Sequence, residues 1–159
     1  MRKIVRFSVI EVSDTLNAAP EIEAEMVSFL DLQTAEVVAL PVFLVHMAEE
    51  DELDYYHSKD LEDLAIANAL AEDPERFVQV SPVESWQSYE WRKDFASSLP
   101  AAYAQKVLKA LEGSGAYARF YDCINQLEHL ADAWALFEHH MMEEYLNDLA
   151  PQNVRIELI

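Results

Sequence analysis

The chain has 159 residues, 52% of them hydrophobic, with thirty acids against eleven bases and a formal net charge of -19. That length and apolar content suit a single domain, 1–159, with a core of its own, and argue against disorder. The charge disfavours nucleic acid and anionic lipid, which need cationic surfaces, and favours a protein partner with a basic surface.

A lone cysteine, Cys123, excludes an internal disulfide and fits a reducing cytoplasm. On a helical face it reads as a small buried hydrophobe. The basic start, Met1 to Phe7, has the charge of a signal peptide, but its apolar run is short and is broken by Glu11 and Asp14. No stretch approaches the ~20 apolar residues of a membrane helix. A cytoplasmic protein away from membranes is expected.

In chain order, residues 4–12 are apolar and β-branched. Ile4–Val9 has the pattern of a strand and Ser8–Ala18 that of a short helix. Helix over 8–18 is the stronger reading, because Val9, Val12 and Leu16 share one side. Glu25–Leu32 reads as a strand, Gln33-Thr34-Ala35 as a turn, and Glu36–Pro41 as the returning strand of a hairpin. Val42–His46 reads as an extension of that sheet. From Glu49 to Glu75 there are eleven acids and one base, Lys59. The acidic segment at about 47–60 is expected to be flexible, and a helix capped by Asp60 to run to about Ala71. Arg76–Val80 reads as a third strand.

Ser81-Pro82-Val83-Glu84 has the form of a capping box, with Ser85 a competing cap, for a helix over 84–98 that carries Trp91, Phe95 and Leu99. Helices follow over 101–112, with Tyr103, Val107, Ala110 and Leu111 on one face, and over 116–127. Between these two lie the chain's only glycines, Gly113 and Gly115. Gly113 stands where a helix C-terminus needs positive φ. A last helix, 130–149, carries the stripe Leu130, Trp134, Phe137, Met141, Tyr145 and Leu149, and 154–159 alternates like a terminal strand. Large residues at such positions gain about 1.5–3 kcal/mol each from burial, so the stripes read as core. The expected fold is α+β: a small antiparallel sheet, hairpin plus third strand, packed by a C-terminal run of four helices.

Three stretches resemble a bacterial family catalogued as uncharacterised protein family 0158. Phe29–Val38 looks like its hairpin motif. Arg76–Val80 with Trp91–Phe95 is similar to its strand and following helix. Ala110–Phe120 is similar to its glycine-x-glycine corner, with Trp134 and Phe137 downstream. The likeness covers about residues 25 to 150. Ala35 stands where the family usually has glycine, Ala118 where a basic residue is common, and Tyr121 where lysine is common. The resemblance implies no activity, since none is assigned to the family.

Four constellations carry candidate chemistry. Asp31 and Glu36 flank the hairpin turn as a carboxylate pair for acid–base work or a divalent metal. Against this, Asp31 makes a local turn bond and Glu36 faces water. His139, His140, Glu143 and Glu144 form two His/Glu pairs at i, i+4, each able to give two metal ligands, or simply a solvated face. Gly115 and Arg119 suggest an anion site at a helix start, against an ion pair of Arg119 with Asp122 or Glu112. Leu53, Tyr55 and Tyr56 in the acidic run offer partner anchors.

No nucleophile elbow, Cys-x-x-Cys or dinucleotide fingerprint is present. No cofactor is expected. The leading expectation is a non-enzymatic acidic interaction or regulatory module. The alternatives are a metal-dependent hydrolase using the acidic and His residues, with a divalent ion, and a nucleic-acid-binding regulator using a patch of Arg92, Lys93, Lys106, Lys109 and Arg119.

Overall fold

The computed structural model describes residues 2–18, 25–53, 60–127 and 129–159. The fold is α+β. In chain order the elements are β1 (Lys3–Phe7), α1 (Val9–Leu16), β2 (Met26–Asp31), β3 (Glu36–Pro41), α2 (Val42–Glu49), α3 (Leu61–Glu72), β4 (Phe77–Val80), α4 (Ser85–Ser97), α5 (Ala101–Ala110), α6 (Ala116–Gln126), α7 (Leu130–Leu149) and β5 (Val154–Leu158). The chain divides into two compact units, Met1–Pro82 with Tyr145–Ile159, and Val83–Glu144.

In the first unit, β2 is the centre of an antiparallel sheet ordered β3-β2-β4, and β1 pairs with β5 in parallel. Both readings of the N-terminus hold, one after the other: strand 3–7, then helix 9–16. Ser8 divides them as the N-cap, its Oγ accepting from the Glu11 amide at 3.4 Å. The β2–β3 connection is 32–35, and Ala35 takes φ 61°, a left-handed value that glycine adopts more readily.

Val42–His46 does not extend the sheet. Pro41 ends β3, and α2 begins at once, burying Leu44, Val45 and Ala48. Their spacing of one, three and four residues is helical, and this packing overrides the strand preference of the β-branched run. The three buried side chains join Phe29, Leu40, Leu53, Ala67 and Phe77 in one core, so the apolar cover of this sheet comes from α2 and α3. Asp60 caps α3 as expected, its carboxylate accepting from the Asp63 amide at 3.1 Å.

In the second unit, α4 starts at Ser85 rather than at a Ser81 capping box. Its N-cap is Glu84, which makes no side-chain cap bond, and 81–84 is not helical. Phe95, Ala96, Val107, Leu111, Phe120, Ile124, Leu130 and Trp134 form the core, with Trp91, Leu99, Cys123 and Phe137 packed against it. The rings of Phe95, Phe120 and Trp134 meet edge to face at 5.0–6.3 Å. Such pairs add about 0.5–1.5 kcal/mol each beyond the area they bury.

The stripe on α7 differs from the expected one. Its buried residues are Leu130, Trp134, Met142 and Leu146, while Leu149 is exposed. They follow a strict i, i+4 row, so the face drifts around the helix away from Met141, Tyr145 and Leu149. Glu138 falls in that row. Tyr103, expected on a buried face of α5, is exposed.

Candidate functional site

The sequence-read candidates among the described residues each have a definite place. Asp31, at the end of β2, is 3% exposed. Its carboxylate accepts two bonds from Arg76, Nε at 2.8 Å and Nη2 at 2.6 Å, and further bonds from the Gln33 and Thr34 amides. Burial alone pushes this carboxyl up. The Arg76 guanidinium, then the Gln33 and Thr34 donors, outweigh it and hold the group below the usual aspartate value. Glu36 is Asp31's register partner across the hairpin but is exposed. Asp31 is thus occupied as the anchor that joins the turn to the start of β4.

Leu53 is buried in the core of the first unit and is not a surface anchor. Tyr55 and Tyr56, with the rest of 54–59, lie outside the described residues. His139 and Glu143 meet at 3.0 Å, and His140 and Glu144 at 3.1 Å, so both i, i+4 pairs form. Among the described residues no group of three or more His, Cys, Asp or Glu is placed to hold a metal ion.

Arg119 turns back over the glycine corner. Its guanidinium donates to the carbonyls of Ala110 at 3.1 Å, Ser114 at 2.5 Å, Gly113 at 3.3 Å and also Glu112. A cation there satisfies the open carbonyl end of α5 and suits its dipole. This is neither the anion site nor the acid pair expected from sequence. Gly115 makes room for it: φ is 76°, and a Cβ would sit 3.2 Å from Arg119 Nη1.

Arg92, read from sequence as a member of a basic patch, is 5% exposed. Its guanidinium lies 4.2 Å from the Tyr117 ring centroid and within 5.2–5.5 Å of those of Phe120, Tyr121 and Trp134. It donates to the Ser88 carbonyl and hydroxyl and to Tyr121 Oη, while Nε has no hydrogen-bond partner among the described residues. Burial raises the Glu138 carboxyl above its ordinary value, and the charge of Arg92 partly offsets this. With Arg92 enclosed and Arg119 on carbonyls, the five bases do not form one cationic surface.

What the corner does present is a shallow groove of about 840 Å³ lined by the start of α4 and the start of α6. Three rings shape it. Tyr117 Oη donates to the Ser85 carbonyl at 2.8 Å, and Tyr89 Oη to the Leu111 carbonyl at 3.0 Å, so both are fixed. Trp86 is 63% exposed, its indole N–H donating to the Glu84 carboxylate. Glu84 and Glu90 add negative charge at the groove, and Lys93 stands 3.9 Å from Glu90. Ring faces and carboxylates together suit a guanidinium or ammonium group. The sequence reading of this helix rests on Trp91, Phe95 and Leu99 and does not single out Trp86. Its phase, off the Trp91–Phe95 face, was the available signal.

Among the described residues no helix is long and apolar enough to cross a membrane. No family model matches the chain, and no curated protein or solved structure matches it, so the resemblance to family 0158 gains no support from these comparisons.

Proposed function

We propose that this protein is a non-enzymatic acidic interaction module that docks a basic segment of a partner protein in the groove at the glycine corner. The observation that carries the reading is Trp86: a large ring left exposed beside Glu84 and Glu90, in a chain of net charge -19. An exposed tryptophan flanked by fixed tyrosines is the composition of an interface anchor, and it takes cations on its face. The reading is also favoured by the occupation of the candidate reactive groups. Asp31 holds Arg76, and Arg119 holds backbone carbonyls. It requires no cofactor. The family resemblance is retained only as part of this proposal and brings no activity with it.

Calorimetric titration with a short arginine- and lysine-rich peptide tests it. Binding tighter than about 100 μM, roughly -5.5 kcal/mol, is expected at low salt. It should weaken strongly at about 1 M salt, where the screening length falls to about 3 Å. Trp86→Ala should lose at least about tenfold in affinity, about 1.4 kcal/mol, with little change in melting temperature. Equal affinity for parent and Trp86→Ala rejects the groove as the site.

A further inference from the structure

We infer that the outer edge of β1 is a second docking site, which takes an extended acidic peptide segment as a third strand. The ladder sets out the geometry. The amides of Lys3 and Val9 donate to the carbonyls of Asn153 and Ile159, and the Ile159 amide donates to the Phe7 carbonyl. With the parallel register Lys3↔Val154 through Phe7↔Leu158, the odd residues of β1 therefore face β5. The backbone N–H and C=O groups of Ile4 and Arg6 point the other way, where no strand lies among the described residues.

The opposite edge of the pair is treated differently. There the Ile156 amide donates to the Asn147 side-chain oxygen at 2.8 Å, and the Asn147 amide donates back to the Ile156 carbonyl at 2.9 Å. The Val154 amide donates to Pro151. One side chain of α7 thus imitates a neighbouring strand along β5, while among the described residues β1 has no such cover. Two-stranded parallel sheets are weak on their own, and open strand edges are templates for strand addition.

Charge selects the occupant. Segments 2–7 and 153–159 carry Arg2, Lys3, Arg6 and Arg155 against a single acid, Glu157, in a chain where acids outnumber bases thirty to eleven. Arg6 and Arg155 share that acid, at 3.2 and 3.9 Å, and both stay more than half exposed. Ile4, 46% exposed, shares their face of the pleat, two residues before Arg6 and opposite Arg155. A strand alternating acidic and β-branched residues completes four main-chain hydrogen bonds at Ile4 and Arg6, with its acids on the face of Arg6 and Arg155 and its β-branched residues on the face of Val5 and Phe7. A second copy of this strongly acidic chain would bring its own basic β1 against this one, placing like charges side by side.

Amide hydrogen exchange on the full chain, with and without a peptide of alternating glutamate and valine, tests the proposal. In the free protein the Ile4 and Arg6 amides should exchange fast while those of Val5 and Phe7 are protected. Added peptide should slow Ile4 and Arg6 at least tenfold. Ile4→Pro removes only an outward N–H, so it should keep the fold and abolish peptide protection at Arg6; Arg6→Glu should weaken binding. Peptide that binds without protecting these two amides, or fails to bind, overturns the inference. So does protection that rises with protein concentration alone, which would make the occupant a second copy.

Discussion

Asp31 and Arg76 show how a residue that reads as catalytic serves structure. Aspartate beside a turn is the type expected for acid–base chemistry, yet here the carboxylate is enclosed and bonded to a guanidinium 45 positions away in sequence. Removing one partner of such a pair leaves a buried charge uncompensated, so Arg76→Met should cost about 3 kcal/mol in denaturant unfolding. The sign of the pH dependence follows from the lowered pKa. The pair's contribution is present above the unfolded aspartate value and is lost as pH falls through the folded one. Asp31→Asn should therefore narrow its stability gap to the parent on acidification; a gap independent of pH would refute this. Glu138 has the opposite sign. Its pKa is raised, so ionisation opposes folding, and stability falls as pH rises through its folded value. Glu138→Gln should be at least as stable as the parent at neutral pH, with the advantage fading in acid; a clear loss at neutral pH would contradict the assignment.

At the scale of elements, most of the secondary structure was legible because it rests on local rules. The hairpin, the helix over 61–72 and the four C-terminal helices follow from apolar spacing, Asp60, Pro100 and the glycine pair. What was not legible depends on distant partners. Val42–His46 looks like strand until Leu44, Val45 and Ala48 are seen packing in the core with Phe29 and Leu40. Ser81 looks like a cap, yet Glu84 takes that place. The parallel pairing of β1 with β5 joins the two ends of the sequence and leaves no local trace. The site was read least well, since Arg119's carbonyl bonds and Arg92's enclosure arise only when the corner closes. Backbone conformation gives this level its own prediction. Ala35 at φ 61° bears a left-handed cost, so Ala35→Gly should stabilise by up to about 1 kcal/mol. Gly115→Ala, at φ 76° and crowding Arg119, should destabilise by about 1–2 kcal/mol. Thermal unfolding of both variants, shifting in opposite directions, is the check; a shared direction would mean that the left-handed φ is not what decides.

For the molecule as a whole, the quantity behind the proposed reading is the net charge of -19, a field that favours cationic over anionic segments at long range. Charge alone does not choose a site, because acids are spread through both units. In the proposed function that choice is made by the corner groove, where an exposed ring stands beside two carboxylates. The most direct test is chemical-shift mapping of the labelled protein with the basic peptide. The largest shifts are expected in 84–90 and 113–118, led by the Trp86 indole N–H as it leaves Glu84. Shifts confined to acidic stretches such as 60–75, with the Trp86 indole unmoved, would contradict it.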